Sequence, residues 1–264
     1  MKKSRQKQAY KITLIGAGNL ATHLGLRLSE TGFEIAQVFS RTKRSAKSLA
    51  KKLNCKFTTD LKEIDTQSDL YILAVSDGAI TEVATKLSRK KTLQKKLIVH
   101  TSGATPALVL QPFFKNYGVF YPVQTFSKKR KIDFSQIPIC IDARYAKDRK
   151  RLEKIGSEIS NRVFVVNDEQ RAVLHVAAVF VNNFSNHLFH IGEQLMEQNG
   201  MSFDLLRPLL LETALKVQTN SPSEMQTGPA IRKDLATIEK HLQFLGAQHP
   251  EFLDVYYLLT QGIK

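Results

Sequence analysis

A glycine-rich segment near the start of the chain has the residue types and spacing of a phosphate-binding turn. It reads Gly16-Ala17-Gly18-Asn19-Leu20-Ala21, the pattern G-x-G-x-x-A. Gly16 permits a tight turn at the end of a strand, and Gly18 lets a pyrophosphate approach the backbone without meeting a Cβ atom. The following helix would offer unpaired N–H groups and its positive dipole end to the phosphates. These residues predict a dinucleotide site; the alternative is a glycine-rich turn without a ligand.

The end of the second predicted strand bears on which dinucleotide is bound. NAD sites usually place an Asp or Glu there, but no acidic residue occurs between Ile35 and Arg44. The chain instead continues through Ser40, Arg41 and Thr42. Because a 2′-phosphate is recognised by planar cations and hydroxyl donors, these residues predict NADP. The alternative is a solvated basic loop.

Three further strand ends are predicted to border the ligand crevice, which in an open α/β sheet lies outside the carboxyl ends of the strands. Val75 and Ser76 follow one buried strand, and Gln124 ends a later one. We predict that these three contact the cofactor. Ser102, after the strand between them, is predicted to donate a hydrogen bond to a substrate oxygen. The alternatives are that Ser102 caps a short helix near Pro106 and that Gln124 belongs to an ordinary loop.

Polar side chains interrupt an otherwise apolar helix predicted over residues 169–199. They are His175, Asn182, Asn183, Asn186, His187 and His190. His175 is the predicted proton donor, since histidine titrates near neutral pH, and Asn183 is predicted to orient the substrate. In a regular α-helix these two residues lie about 80° apart around the axis, so both could face one cleft. The alternative is that these polar groups satisfy one another and nearby backbone. No metal site is predicted, because His187 and His190 have no evident carboxylate partner.

Alternating strands and helices must position these residues. Strands are predicted at residues 12–15, 35–39, 55–57, 69–75, 96–100, 118–123, 137–141 and 163–166. After residue 168 only helical periodicity remains, with helices at 169–199 and 204–218 and others opening at Pro229 and Pro250. We therefore predict an α/β protein with a Rossmann-like, doubly wound, mainly parallel sheet over residues 8–166. An all-α substrate or dimerisation domain is predicted over residues 167–264.

The centre of the first C-terminal helix, residues 173–191, is apolar nearly all round. A helix without a polar face must be buried on all sides. Three shorter helices are too few to cover it, so we predict a homodimer in which the helical domains pack together.

Composition limits the remaining classes of protein. The 264 residues carry a formal net charge of +15 and include two cysteines, Cys55 and Cys140. The basic clusters lack nucleic-acid-binding motifs and interleaved aromatic residues, so we predict solvated surface and no nucleic-acid partner. No apolar run reaches membrane-spanning length, so no membrane partner is predicted. The sparse cysteines and the short, glycine-broken apolar segment after the basic start favour a cytoplasmic protein.

Several stretches match the sequence pattern of a known family. They are GAGNLA (16–21), AVSD (74–77), HTSG (100–103) and YPVQTF (121–126), then HVAAVF (175–180), NF (183–184) and TGPAIRKD (227–234). On these residues the chain resembles a Rossmann-like NADP-binding family with a helical C-terminal domain of unassigned function. That family is similar to pyrroline-5-carboxylate reductases, deazaflavin-dependent NADP oxidoreductases and β-hydroxyacid dehydrogenases. The resemblance implies NADP binding and a helical domain that often dimerises, and it implies no substrate.

One departure limits what the resemblance implies about catalysis. The β-hydroxyacid dehydrogenases carry a catalytic lysine and asparagine one turn apart on their long helix. Here there is no lysine between Asp168 and Gly200. Two hypotheses stay open: an NADP-dependent oxidoreductase that reduces a small carbonyl or imine compound, and a non-catalytic NADP-binding sensor or partner protein.

Overall fold

The computed structural model describes residues 10–263, and the chain divides into two compact units. The first extends through Ala178, and the second begins at Val179. The predicted division into residues 8–166 and 167–264 stays a prediction, because compactness alone does not define an independently folding domain. Residues 8, 9 and 264 of those ranges lie outside the described residues.

The described part of the first unit contains an eight-stranded sheet in the order β3-β2-β1-β4-β5-β6-β7-β8. The strands are β1 (Lys11–Ile15), β2 (Glu34–Phe39), β3 (Lys56–Thr58), β4 (Leu70–Leu73), β5 (Leu97–His100), β6 (Asn116–Pro122), β7 (Ile139–Ala143) and β8 (Val163–Val165). Strands β1 to β6 are parallel, β7 is antiparallel to β6, and β8 is parallel to β7. The predicted α/β class and mainly parallel, doubly wound sheet are confirmed.

Helices cover both faces of this sheet. They are α1 (Asn19–Glu30), α2 (Lys43–Leu53), α3 (Ile80–Ser88) and α4 (Ala146–Ile159), whereas α5 (Asp168–Ala178) follows β8 and adds no residue to the core clusters. The buried residues of α1, α2 and α4 share one core cluster, and those of α3 belong to a second. Strand β4 is apolar and buried throughout because it supplies side chains to both clusters. The helix predicted near Pro106 is a short 3-10 helix, Ala107–Leu110.

The second unit is helical where the structure describes it. A π-helix, Val179–Phe184, is followed by α6 (Ser185–Gln198), α7 (Arg207–Thr219), α8 (Leu235–Gln248) and α9 (Leu253–Gly262). The helix predicted over residues 169–199 is therefore helical throughout but changes its hydrogen-bonding pattern at Val179.

The predicted start of α8 at Pro229 is wrong. Residues 229–233 form turns, and Lys233 has a φ of 55°. The helix begins at Leu235, where the Asp234 carboxylate accepts a hydrogen bond from the Thr237 N–H. A side-chain cap next to a left-handed residue fixes this start more strongly than proline does upstream.

Apolar residues of the second unit are widely exposed in the single chain. Val181 is 75 % exposed, Leu235 is 74 % and Leu258 is 70 %. The expectation that the apolar helix centre is buried on all sides is therefore not met within one chain. The helices of this unit are too few to enclose their own apolar surface.

Candidate functional site

The glycine turn lies between the ends of three strands. Gly16 follows β1, and its N–H donates to the Phe39 carbonyl of β2 over 2.8 Å. Gly16 has a φ of +129°, and a Cβ atom there would lie 2.1 Å from the Ala74 carbonyl oxygen beyond β4. The positive φ and the lack of space for a Cβ atom both require glycine, so the tight-turn role predicted for Gly16 agrees with the geometry.

The start of α1 offers an open anion site. Gly18 is the N-cap, no side chain caps the helix, and its first turn has no acidic residue. A Cβ atom at Gly18 would meet nothing within 4 Å. The first backbone N–H groups of α1, beginning with Asn19 and Leu20, therefore have neither a capping side chain nor a carboxylate to neutralise the helix dipole. This turn fits a phosphate group.

A cavity of about 280 Å³ adjoins this turn. It brings together seven of the predicted cofactor residues, Gly16, Ala17, Gly18, Ser40, Arg41, Val75 and Ser76. A neighbouring cavity of about 680 Å³ also includes Arg41. The Arg41 side chain therefore borders both cavities.

Additional cations around Arg41 were missed by sequence reasoning. Lys62, Lys86, Arg89 and Lys90 line the larger cavity. Lys86 forms an ion pair with Glu82, and this hydrogen bond lowers the pKa of the Glu82 carboxyl. The available signal was the basic run Arg89-Lys90-Lys91 directly after α3, but composition alone does not reveal which cations face a cavity.

Two predicted cofactor residues make local contacts. Thr42 is the N-cap of α2, and its hydroxyl donates to the Ser45 hydroxyl over 2.9 Å. The Gln124 side-chain oxygen accepts from the Thr125 N–H over 2.8 Å. Neither lines the two cavities, and their cofactor roles stay predictions.

The hydroxyl of Ser102 is fully engaged within its own loop. It accepts hydrogen bonds from the N–H groups of Ala104 and Thr105 and donates to the Thr105 hydroxyl. This pattern supports the alternative turn-capping role, and the catalytic role of Ser102 stays a prediction without geometric support.

His100, at the end of β5, is a buried titratable residue that sequence reasoning missed. Its Nδ1 accepts from the Ser102 N–H over 3.2 Å, and its Nε2 donates to the Pro106 carbonyl over 3.3 Å. Burial, and then the nearby Arg171 guanidinium, lower the pKa of His100 to about 4. The ring is therefore neutral at physiological pH and holds the β5 loop in place.

The start of α5 is attached to the same loop by an ion pair that was also missed. Both carboxylate oxygens of Asp168 accept from the Ala107 N–H, at 3.0 and 2.9 Å. Arg171, only 1 % exposed, donates from Nη2 to Asp168 over 2.8 Å and to the Thr105 carbonyl over 2.6 Å. The loop after β5 and the first turn of α5 are therefore held together as one rigid piece.

This attachment places His175 beside Tyr121. Their ring centroids are 6.4 Å apart at an angle of 65°. A Cβ atom on Gly103 would lie 2.6 Å from His175 Nδ1 and 2.9 Å from Tyr121 Oη. Two proton donors thus converge over a glycine at the carboxyl edge of the sheet. Nδ1 of His175 is buried and has no hydrogen-bond partner among residues 10–263.

Tyr121 is a second donor that sequence reasoning did not select. Burial raises the pKa of its hydroxyl, so it stays protonated at neutral pH. It lies in β6, three residues before the selected Gln124. Unlike the core residues Tyr71 and Tyr117, which are buried, Tyr121 is only partly buried against the second core cluster.

Asn183 belongs to the second unit, in the π-helix. Its side-chain oxygen accepts from the Asn182 amide over 3.4 Å. Because a π-helix has more residues per turn than an α-helix, the angle of about 80° expected between His175 and Asn183 does not apply. The substrate-orienting role of Asn183 stays a prediction.

Two other kinds of feature are absent from residues 10–263. No group of three or more His, Cys, Asp or Glu residues there could hold a metal ion. No helix in that range is long and apolar enough to cross a membrane.

Comparison with known proteins bears on both parts of the chain. Residues 11–103 match the model of the coenzyme F420-dependent NADP oxidoreductases, and residues 137–263 match a domain of unknown function, DUF2520. No curated protein sequence matches the chain significantly.

Solved structures resemble the chain over nearly its whole length. A provisionally named NADP oxidoreductase from Bacteroides fragilis is 44 % identical, with a TM-score of 0.90 over 97 % of this chain and 98 % of that one. An imine reductase from Myxococcus stipitatus, solved with NADP+, is 15 % identical, with a TM-score of 0.66 over 96 % and 93 %. A pyrroline-5-carboxylate reductase from Coxiella burnetii is 16 % identical, with a TM-score of 0.58 over 96 % and 95 %.

The two low-identity structures show a shared fold alone, whereas the Bacteroides fragilis protein is similar enough in sequence to show the family. The chain therefore belongs to the family of that protein, in which an NADP oxidoreductase-type Rossmann domain precedes a DUF2520 helical domain.

Proposed function

We propose that this protein is an NADP-dependent oxidoreductase that reduces a small carbonyl or imine compound. The observation that carries the proposal is the convergence of His175 and Tyr121 over Gly103, at the same sheet edge as the open glycine turn. Ligands of open α/β sheets bind at this edge.

Different residues of the first unit would bind different parts of the cofactor. The glycine turn and the first N–H groups of α1 would bind the pyrophosphate, and Arg41 would bind the 2′-phosphate. Bound NADPH would supply a hydride to the substrate carbon. The chain itself must then supply a proton to the carbonyl oxygen or imine nitrogen.

His175 is the proposed source of that proton. The protonated form of a histidine can give up a proton near neutral pH, and Nδ1 of His175, which has no hydrogen-bond partner among residues 10–263, could face the substrate. Tyr121, kept protonated by its burial, would donate a hydrogen bond to the same substrate atom. The names of the imine and pyrroline-5-carboxylate reductases favour imines as the first substrates to test.

The second candidate is a non-catalytic NADP-binding sensor or partner protein. The absence of a lysine between Asp168 and Gly200 favours it, because the dehydrogenases that the chain resembles use a lysine on their long helix. The neutral, buried His100 adds no proton donor to the site.

NADPH binding and turnover separate these candidates. Binding is measured by calorimetry, and NADPH oxidation is followed by absorbance with cyclic imines, aldehydes and ketoacids. Oxidation with one substrate class would support the reductase. Tight binding without turnover across the panel would favour the sensor, and absence of binding would contradict both.

We further propose a homodimer formed through the second unit, and a cytoplasmic location. The dimer is supported by the exposed apolar residues Val181, Leu235 and Leu258. The location is supported by Cys55 and Cys140, which are both free thiols.

A further inference from the structure

The loop that follows β6 is folded back onto α1. Nε2 of His23, in α1, donates to the Ser127 carbonyl over 2.9 Å. The His23 ring lies 5.4 Å from the Phe126 ring, which in turn stacks on Phe134 at 6.0 Å. These contacts fix the backbone immediately before Lys128.

Lys128 reaches the glycine turn from this fixed loop. Its Nζ donates to the Ala17 carbonyl over 2.8 Å, across 111 positions of sequence. An ammonium has three N–H donors, and this bond uses one. Within residues 10–263 Lys128 takes part in no ion pair, so its charge is not neutralised there.

The turn itself provides no charge to match a pyrophosphate. Residues 16–21 are all uncharged, and α1 has no basic residue before His23. Helix N–H groups bind phosphate through partial charges only, and a nearby ammonium adds a full positive charge. Lys128 is hydrogen-bonded to Ala17, the residue directly before Gly18. At Gly18 there is open space through which a phosphate can approach the backbone.

Strand order indicates which phosphate Lys128 serves. Arg41 follows β2, on one side of β1, whereas the Lys128 loop follows β6, on the other side. A dinucleotide with its 2′-phosphate at Arg41 extends its nicotinamide half away from β2 and toward β6. The cation that arrives from β6 therefore meets the phosphate of the nicotinamide half.

We propose that Lys128 is a pyrophosphate-binding residue that neutralises the nicotinamide-side phosphate of the dinucleotide. This inference rests on the proposed function, because it requires NADP to bind at the glycine turn. It gives a specific role to one lysine of a basic cluster, Lys128 to Lys131, that otherwise has the character of solvated surface.

Fragments of the cofactor test the inference. Kd is measured by calorimetry for NADPH, for 2′-phospho-ADP-ribose, which keeps both bridging phosphates, and for adenosine 2′-monophosphate, which has neither. Lys128→Met should raise Kd for the first two ligands by about tenfold to a hundredfold and leave the third nearly unchanged. Lys129→Met, at an exposed neighbouring lysine, is the matched control and should change none of them.

Salt and a conservative variant separate charge from support of the turn. Lys128→Arg keeps the charge and should retain most of the NADPH affinity. The ratio between the NADPH Kd values of Lys128→Met and wild type should shrink as salt rises, because salt screens an exposed charge. A difference that persists at high salt, or that Lys128→Arg does not reduce, would overturn the proposal in favour of a purely structural contact to Ala17.

The remaining outcomes are also distinct. Unchanged NADPH affinity in Lys128→Met, with wild type binding normally, would overturn this inference and leave the proposed function intact. If wild type bound neither NADPH nor 2′-phospho-ADP-ribose, the proposed function would fail and the role of Lys128 with it.

Discussion

Arg41 is the residue on which discrimination between the two dinucleotides should depend. It lines both cavities beside the glycine turn, and no acidic residue follows β2 to bind a ribose hydroxyl. Arg41→Ala should weaken NADPH binding by roughly 1.5–3 kcal/mol, the range for a charge-assisted hydrogen bond, and leave NADH binding nearly unchanged. Calorimetric titration of both cofactors measures this.

Arg44→Ala is the control for Arg41, since Arg44 is an exposed cation of α2 that lines neither cavity. An equal loss of NADPH and NADH affinity in Arg41→Ala would show that Arg41 does not recognise the 2′-phosphate.

His175 is the residue whose loss should affect the chemical step rather than cofactor binding. With a substrate from the panel, His175→Ala should lower turnover by roughly 10²–10⁴-fold while the Kd for NADPH stays near that of wild type. His190→Ala provides a comparison, because His190 is exposed and contacts Glu193 in α6. Unchanged turnover in His175→Ala would assign the proton to Tyr121 instead.

His100 should make stability depend on pH. Its pKa is about 4 in the folded chain, against 6.5 for an unperturbed histidine. Above pH 6.5 the ring is neutral in both states, so it adds no pH dependence. Between 6.5 and 4 only the unfolded chain takes up the proton, so stability falls as pH is lowered, by up to about 3 kcal/mol.

Urea unfolding of wild type and His100→Gln at several pH values between 4 and 7 measures this contribution. The variant should show a flatter dependence on pH, since glutamine does not titrate, while the carboxyl groups contribute equally to both proteins. Parallel curves would mean that the pKa of His100 is the same in the folded and the unfolded chain.

At the scale of elements, the two glycines of the turn between β1 and α1 should have different roles: Gly16 is needed for folding and Gly18 for cofactor binding. Gly16→Ala would place a Cβ atom 2.1 Å from the Ala74 carbonyl oxygen at a φ of +129°, so it should destabilise the protein severely. Gly18 has a φ of −74° and free space around it, so Gly18→Ala should fold nearly normally.

Of the two variants, only Gly18→Ala should lose NADPH affinity without losing stability. Its added methyl group would occupy the space through which the phosphate approaches the backbone, so NADPH affinity should fall while the thermal unfolding midpoint stays within a few degrees of wild type. Soluble, stable Gly16→Ala protein would contradict the close contact with Ala74.

At the scale of the whole molecule, the exposed apolar surface of the second unit predicts self-association. Light scattering at micromolar concentration should give the mass of a dimer. Val181→Asp should produce monomers, because Val181 is 75 % exposed in the single chain and a carboxylate is costly to bury. Leu108→Asp, at an exposed leucine of the first unit, is the control and should stay dimeric.

A monomer for the wild-type protein at that concentration would contradict the dimer. Dissociation of Leu108→Asp as well would move the interface to the first unit.

By itself the sequence determined the fold class, the strand positions within a few residues, the glycine turn and the basic strand end beside it. These features rest on local patterns: apolar periodicity reports which faces are buried, and glycine spacing reports backbone freedom. Tertiary structure alone decided the neutral state of His100 and the position of Tyr121 beside His175.

It also decided the two long-range contacts of the site, Asp168 to Ala107 and Lys128 to Ala17, which join residues 61 and 111 positions apart. The physical reason is that a charged side chain lowers its energy by finding whichever partner the packed chain brings near it. That partner depends on strand order and loop path rather than on neighbouring residues.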